Sequence, residues 1–172
     1  AALVLPDGTL FGEGVKTRIK EQLLAECNLH TVVRLPRGVF APYTGIKTNL
    51  LFFTKGTPTQ NVWYYEHPYP LGVKNYSKTK PIVVEEFEAE KAWWGSEADG
   101  FAARQENERA WRVSIDQIKA ANYNLDQKNP HAVDAVCHDP EQLLLEYARL
   151  QGEAQALRDE LKEILAKSLF SP

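Results

Sequence analysis

Four short apolar runs in the first part of the chain predict β-strands. They cover residues Ala1–Leu5, Leu29–Leu35, Thr48–Thr54 and Val62–Glu66, and turn-forming Pro or Gly residues follow closely after the first three. Apolar residues that are continuous rather than alternating are typical of strands covered on both faces, as in a parallel sheet. The last run is also rich in the aromatic residues that strands favour.

A helix is predicted between the first two strands, over Val15–Cys27, because Val15, Ile19, Leu23 and Leu24 recur at helical spacing. A helical connection implies a right-handed parallel crossover between those strands. About a dozen residues join the second and third strands, too few for another helical crossover, so that pair should be antiparallel. The order predicts an α/β fold, the C-terminal part of a Rossmann-like sheet. So few strands cannot cover themselves, and we expect a preceding part of the protein to complete the sheet.

The middle of the chain predicts an irregular segment followed by two helices. Residues 68–81 are rich in Pro, Gly, Lys and Tyr. A helix is expected over Val83–Trp94, and the four glutamates of residues 85–90 should face solvent. The run Ser114–Gln117 has the pattern of a capping box, which begins a short helix that ends at Ala121.

The last segment predicts a long helix with one apolar side. Asp139 is a predicted N-cap, and Pro140 occupies the first helical position. Apolar residues then recur at alternating spacings of four and three, which is a heptad pattern and indicates a coiled-coil-like helix that packs lengthwise on another helix. These residues are Leu143, Tyr147, Leu150, Ala154, Leu157, Leu161 and Ile164.

Composition narrows the possible functions of the chain. It has 172 residues, with 20 Lys and Arg against 23 Asp and Glu, whereas a protein that binds nucleic acid by itself is more often basic. Cys27 and Cys137 lie far apart and form no CxxC pair, and the spacing of His131 and Cys137-His138 fits no standard zinc pattern, so we predict reduced thiols and no metal. No apolar run is long enough to cross a membrane, and we expect a cytoplasmic protein. The chain opens inside a strand pattern and contains no Met, which predicts a piece of a longer protein.

Two stretches of sequence carry a family resemblance. They are Leu3–Phe11 (LVLPDGTLF) and Leu35–Phe53 (LPRGVFAPYTGIKTNLLFF). In their order and separation they resemble the late motifs of the modification (M) subunit of type I restriction-modification systems, an N6-adenine DNA methyltransferase family. The run Trp111–Lys119, with Tyr123–Asp126 and Asn129-Pro130, resembles the segment that follows the catalytic domain in that family.

The resemblance implies an enzyme whose catalytic residues lie outside this chain. The family binds S-adenosylmethionine through a glycine-containing loop and orients the adenine with an Asn-Pro-Pro-(Phe/Tyr) motif. Neither occurs in this sequence. Asn129-Pro130 begins like the second motif, but it is not followed by Pro and an aromatic residue. We therefore expect no catalytic residues in this fragment, binding of S-adenosylmethionine mainly by the missing N-terminal part, and no activity of the chain alone.

The loop between the second and third strands is the part of the family's active site that remains. A base that is methylated on its amino group must leave the helix and enter a pocket, often against aromatic rings. In related enzymes an aromatic residue of this loop stacks on the flipped adenine, and Phe40 matches that position. Tyr43, Lys47 and Thr48 complete the predicted base site. Phe40 could instead anchor the loop in the core, and Lys47 could be an ordinary solvated lysine.

The resemblance also implies protein partners. Family members assemble as two M subunits with one specificity (S) subunit, and act on DNA within that complex. The predicted C-terminal helix would then dock on the S subunit through Leu143, Tyr147, Leu150, Leu157, Leu161 and Ile164. A different hypothesis is a non-catalytic interaction module that self-associates through the same helix. The predicted division is residues 1–67 for the end of the catalytic domain, 68–138 for an extension and 139–172 for assembly.

Overall fold

A single five-stranded sheet forms the centre of the computed structural model, which describes residues 1–132 and 140–170. The strands lie in the order β1-β3-β2-β4-β5. β2 and β4 are parallel, whereas β3 is antiparallel to β1 and β2, and β5 is antiparallel to β4. The strand bounds are β1 Ala2–Pro6, β2 Cys27–Arg34, β3 Thr48–Lys55, β4 Asn61–Glu66 and β5 Ala110–Ser114.

The topology confirms the four predicted strands and the antiparallel pairing of β2 with β3. β1 and β2 point in the same direction, because both are antiparallel to β3. They are not neighbours, however, since β3 lies between them. The predicted parallel crossover therefore joins two strands that share a direction and make no hydrogen bonds to each other.

The helices of the described ranges are short except for the last one. Their bounds are α1 Asp7–Leu10, α2 Val15–Glu26, α3 Glu88–Trp93, α4 Ile115–Ala120 and α5 Pro140–Phe170, and a 3-10 turn covers Val84–Phe87. None of the helices in those ranges is long and apolar enough to cross a membrane.

Side chains on the two faces of the sheet form two separate core clusters. Alternate residues of a strand point to opposite faces, and Val32 and Tyr64 accordingly lie in one cluster while Val33 and Tyr65 lie in the other. The larger cluster is covered by α2 and α4 through Leu24 and Ile118. The smaller cluster is covered by the segment that contains α3, whose residues Phe87, Trp93 and Trp94 pack against it.

The burial of α2 differs from the predicted pattern. Val15 and Ile19 are 73% and 61% exposed, whereas Lys20 and Leu24 are buried. Lys20 is accommodated because its Nζ donates hydrogen bonds to the carbonyl oxygens of Leu10 and Gly12, at 2.7 and 3.0 Å. Val15 and Ile19, two of the four apolar residues from which the helix was predicted, are therefore largely exposed in this chain.

The predicted helix over Val83–Trp94 also needs correction. It is divided into the 3-10 turn and α3, and its glutamates do not all face solvent. Glu90 is buried because its carboxylate binds the ring of His67, and Glu86 is partly buried. The predicted capping box of α4 is confirmed, since the Ser114 hydroxyl accepts from the Gln117 amide and Gln117 Oε1 accepts from the Ser114 amide.

The chain divides into two compact units, residues 1–132 and 133–172. The structure confirms a 31-residue helix in the second unit. The predicted stripe residues are at least half exposed, apart from Ala154, which is partly exposed. Cys137, His138 and the predicted N-cap Asp139 lie outside the described residues.

Candidate functional site

A polar cleft of about 410 Å³ lies at one end of the sheet. It is formed where the three strands of common direction, β1, β2 and β4, reach their carboxyl ends. Asp7, Arg34 and Glu66 each stand at or directly after one of these ends and line the cleft. In open α/β sheets, ligands bind outside the carboxyl ends of the strands, so this cleft is the candidate functional site. Its other lining residues are Leu35, Pro36, Arg37, Lys47, Asn49, His67, Pro68, Tyr69 and Arg109.

The carboxylates of the cleft already have protein partners. Asp7 Oδ1 accepts a hydrogen bond of 2.8 Å from the side-chain amide of Asn49. Glu66 Oε2 accepts one of 3.1 Å from the side-chain amide of Asn129. Arg34 lies 4.0 Å from Asp7 and pairs more closely with Asp126. These groups therefore hold the floor of the cleft in place.

Several cations of the cleft, Arg37 and Lys47 among them, have no ion pair with a carboxylate in the described part of the chain. Arg37 and Lys47 are both exposed and form no ion pair there. Lys47 immediately precedes β3, and its carbonyl oxygen accepts a hydrogen bond from the Asp7 amide at 3.0 Å. The lysine is thus held by its backbone while its ammonium group remains free for an anionic ligand.

The loop of residues 35–47 borders the cleft and carries the predicted base site. It is tied at its base by a hydrogen bond of 3.0 Å from the Leu35 amide to the Thr48 carbonyl. Its tip is closed by bonds from the Tyr43 and Thr44 amides to the Phe40 carbonyl, at 2.9 and 3.2 Å. The loop therefore has a defined backbone turn centred on residues 40–44.

Phe40 is 42% exposed and belongs to neither core cluster. Its neighbour Val39 packs against the smaller cluster instead. Of these two adjacent apolar residues, Val39 therefore packs on the sheet and anchors the loop, whereas a large part of Phe40 is exposed to solvent.

The other predicted base-site residues occupy different environments. Tyr43 is 92% exposed on the loop, and Lys47 lines the cleft. Thr48 is buried at the first position of β3, does not line the cleft, and its Oγ1 has no hydrogen-bond partner among the described residues. The structure therefore brings Lys47 to the cleft, places Phe40 and Tyr43 on the adjoining loop, and keeps the Thr48 side chain inside.

Sequence reasoning did not identify Asp7, Arg34 and Glu66 as cleft residues. The signal was a charged residue at the carboxyl end of each predicted strand. Arg34 stood within a predicted strand and Asp7 within a predicted turn, so neither was assigned a role. The predicted strand order, which lacked the insertion of β3, did not show that the three ends meet.

A second cleft, of about 370 Å³, lies at the other end of β2 and β4. Its main feature is Arg104, which is 5% exposed and lies 3.8 Å from the centroid of the Phe101 ring and 4.5 Å from that of Trp93. Burial lowers the pKa of Arg104 to about 10 and that of the neighbouring His30 to about 4. His30 stacks on Phe101 and its Nδ1 lies 2.7 Å from Thr31 Oγ1. No group of His, Cys, Asp and Glu that could hold a metal ion occurs among the residues that the structure describes.

Comparisons with known proteins identify the chain's relatives. The sequence profile of the N-6 DNA Methylase family matches residues 1–139. The type I restriction enzyme EcoEI methylase subunit of Escherichia coli is 65% identical over 169 residues, which are 98% of this chain and 34% of that protein.

Solved structures give the same result. A structure from a study of complex assembly and conformational transition of the type I R-M system is 38% identical, with a TM-score of 0.70 over 96% of this chain and 35% of that chain. The EcoKI M protein is 28% identical, with a TM-score of 0.64 over 100% of this chain and 41% of that chain. The chain thus spans about a third of the length of the relatives that it matches. It belongs to the N-6 DNA methylase family, among the methylase subunits of type I restriction enzymes.

Proposed function

We propose that the chain is the C-terminal portion of a DNA methyltransferase subunit that transfers a methyl group from S-adenosylmethionine to N6 of adenine in DNA. The observation that carries this proposal is the loop of residues 35–47, which borders the cleft at the carboxyl ends of the strands and exposes Phe40. Family membership supports the reaction type, and the chain contributes one side of the site for the base.

Phe40 is the proposed stacking surface for the flipped adenine. A base that leaves the duplex loses its stacking interactions, and an aromatic ring can replace part of that loss, worth ~1–3 kcal/mol per base in single-strand binding proteins. Phe40 suits this role because a large part of its ring is free while Val39 supplies the packing on the sheet. Tyr43, on the same turn, is available for the same base or for a neighbouring one.

Lys47 and Arg37 are the proposed phosphate contacts beside that base. Both lack a protein counter-charge in the described ranges, and both line the cleft next to the loop. Phosphate contacts from cations fix the position of DNA on a protein without reading its sequence. This arrangement explains how a chain with a mildly acidic composition can belong to an enzyme that acts on DNA.

The chain lacks the sequence motifs by which this family binds S-adenosylmethionine, which supplies the methyl group. The carboxylates of the cleft, Asp7 and Glu66, each accept a hydrogen bond from an asparagine side chain on one oxygen, which gives both a structural role in the cleft. The sequence lacks the glycine loop and the Asn-Pro-Pro-(Phe/Tyr) motif. We therefore assign the cofactor to the remainder of the subunit and propose that this chain alone is inactive.

The exposed side of β1 is the proposed junction with that remainder. β1 is an edge strand of the described sheet, and its Leu3 and Val4 side chains are 46% and 54% exposed on opposite faces. An edge strand with apolar residues on both faces is suited to the interior of a larger sheet. Val15 and Ile19 of α2 are also largely exposed, and we propose that the remainder of the subunit covers them as well.

The experiment that tests the base site is methyl transfer by the complete enzyme, measured with labelled S-adenosylmethionine and unmethylated genomic DNA. Phe40→Ala should reduce kcat/KM about tenfold, because stacking is lost. Leu71→Ala is the matched control, because Leu71 is fully exposed outside the cleft and should be replaceable without effect. Unchanged turnover of a folded Phe40→Ala enzyme would remove the stacking role.

A further inference from the structure

The segment of residues 68–87, which follows β4, contacts the loop that carries Phe40. The hydroxyl of Tyr69 donates a hydrogen bond of 2.8 Å to the carbonyl oxygen of Arg37. Arg37 lies three residues before Phe40, so this bond fixes the backbone at the point where the loop leaves β2. The hydrogen bonds within the loop, and the bond from the Asp7 amide to the Lys47 carbonyl at its other end, do not tie residue 37 to another segment.

The next residue of the loop lies close to the backbone of the same segment. Gly38 has a φ of 81°, in the left-handed region that favours glycine. A Cβ at this position would lie 3.2 Å from the carbonyl oxygen of Tyr76, so the backbones of the two segments approach more closely than other residues normally allow. Tyr76 is 5% exposed, and its ring lies 5.4 Å from that of Tyr69.

Buried polar groups connect these tyrosines to the sheet. The hydroxyl of Tyr76 donates to the Glu86 carboxylate. Glu86 Oε2 lies 3.7 Å from Nε2 of His67, whose Nδ1 lies 2.5 Å from Glu90 Oε1. Burial and the bond to Glu86 raise the pKa of Tyr76, so the hydroxyl keeps its proton and remains a donor.

His67 is the fixed point of this network. It follows directly after β4, is 4% exposed, and stacks on Phe87 with 4.4 Å between ring centroids. Its backbone amide donates a hydrogen bond of 2.9 Å to the Arg34 carbonyl at the end of β2. A continuous series of contacts therefore runs from the sheet through His67, Glu86 and the two tyrosines to Arg37 and Gly38.

We propose that Tyr69 and Tyr76 are positioning residues for methyl transfer: they hold the loop of residues 35–47 in the conformation that presents Phe40 beside the cleft. The proposal rests on the proposed function of the loop, since it gives the loop's anchoring a role in the reaction. Neither tyrosine needs to touch the DNA. Both contacts are made to the backbone of residues 37 and 38, so their effect reaches the base through Phe40.

Tyr69→Phe in the complete enzyme is the direct test, because it removes one hydroxyl and keeps the ring. We expect the single-turnover rate of methyl transfer to genomic DNA to fall about three- to tenfold, while KM for DNA changes less than twofold. Amide hydrogen exchange of residues 37–44 should become faster. Gly38→Ala should act in the same direction through the loop backbone. Tyr123→Phe is the control, because it also removes one tyrosine hydroxyl, which bonds Glu21 away from the cleft.

Combination with Phe40→Ala distinguishes this proposal from the stacking role. If the tyrosine acts through Phe40, the double variant Phe40→Ala/Tyr69→Phe should be no slower than Phe40→Ala alone. A slow Phe40→Ala enzyme beside a Tyr69→Phe enzyme with normal rate and exchange would overturn the positioning role and leave stacking intact. A normal Phe40→Ala enzyme beside a slow Tyr69→Phe enzyme with faster loop exchange would overturn stacking and, with it, the action of the tyrosines through Phe40. If Tyr69→Phe speeds amide hydrogen exchange of the loop but leaves the rate of methyl transfer unchanged, the positioning role is also overturned.

Discussion

Arg34 and Asp126 form an ion pair with 2.5 Å between Nη2 and Oδ1, although 92 residues separate them in the sequence. Nη1 of the same guanidinium donates a hydrogen bond of 2.7 Å to the carbonyl oxygen of Gln127. The Arg34 side chain is 14% exposed, so most of its charge is removed from water. The pair fastens the segment after α4 to the carboxyl end of β2, at the floor of the cleft.

Asp126→Asn should therefore lower the free energy of unfolding of the subunit by about 1–3 kcal/mol, because it leaves a largely buried arginine with weaker compensation. The measurement is chemical denaturation of both proteins. Glu153→Gln is a suitable comparison, because it removes an ion pair to Arg149 in which both side chains are more than half exposed. Exposed pairs contribute little, so that variant should unfold like the parent. Equal stabilities of the two variants would contradict the structural role of Asp126.

Lys47→Ala should weaken binding of the assembled enzyme to all DNA sequences alike. A phosphate contact releases counterions on binding, and its loss should reduce the slope of log affinity against log salt concentration by about 1. Lys55→Ala is the matched control, because Lys55 is an exposed lysine at the opposite end of the same strand. Titrations at several salt concentrations measure both slopes. If the salt dependence of Lys47→Ala has the same slope as that of the parent, Lys47 is an ordinary solvated lysine and does not contact a phosphate.

His30 should make the stability of the subunit depend on pH. Burial lowers its pKa from 6.5 to about 4 in the folded chain, although Glu97 acts in the opposite direction. The unfolded chain therefore takes up a proton at His30 near pH 6.5, while the folded chain does so only near pH 4. The stabilisation from neutral His30 is fully present above pH 6.5 and is lost as the pH falls toward 4.

Thermal unfolding at a series of pH values checks this prediction. The difference in stability between the parent and His30→Asn should narrow as the pH falls from about 6.5 to about 4, because the variant lacks the titrating ring. His131→Asn serves for comparison, since it makes the same substitution at a histidine whose side chain is 40% exposed. A difference that is constant over this range would exclude His30 as the source of pH dependence.

The sequence predicted the elements in which the local pattern and the tertiary structure agree. The apolar runs of β2 and β3 are covered on both faces in the structure, and the capping box at Ser114 depends only on neighbouring residues. β5 was not predicted, because Arg112 lies among the few apolar residues of a short strand. Arg112 is tolerated there since it is exposed and lies over the Trp63 ring, at 5.6 Å from the centroid.

The candidate site was predictable only as far as the family resemblance extended. The stacking role of Phe40 came from that resemblance, whereas the residue type alone favoured a phenylalanine packed in the core. The burial of Glu90 could not be predicted, because it depends on His67, a residue 23 positions earlier that β4 brings into contact. Likewise, the positions of Asp7, Arg34 and Glu66 at one cleft depend on the strand order, which is a property of the whole sheet.

The apolar stripe of α5 predicts a partner that can be tested with one pair of substitutions. Leu150 belongs to the stripe and is 50% exposed, whereas Leu144 does not belong to it and is 67% exposed. We expect Leu150→Lys in the full-length subunit to abolish its association with the specificity subunit, since a charge would enter a packed helix interface. Leu144→Lys places the same charge off the stripe and should leave association unchanged. Sedimentation of the subunit with and without the specificity subunit measures both effects. The opposite result would be a tight homodimer that does not bind the specificity subunit and that Leu150→Lys dissociates. It would contradict docking and support the self-associating module, because the same apolar residues would then pack against a second copy of α5.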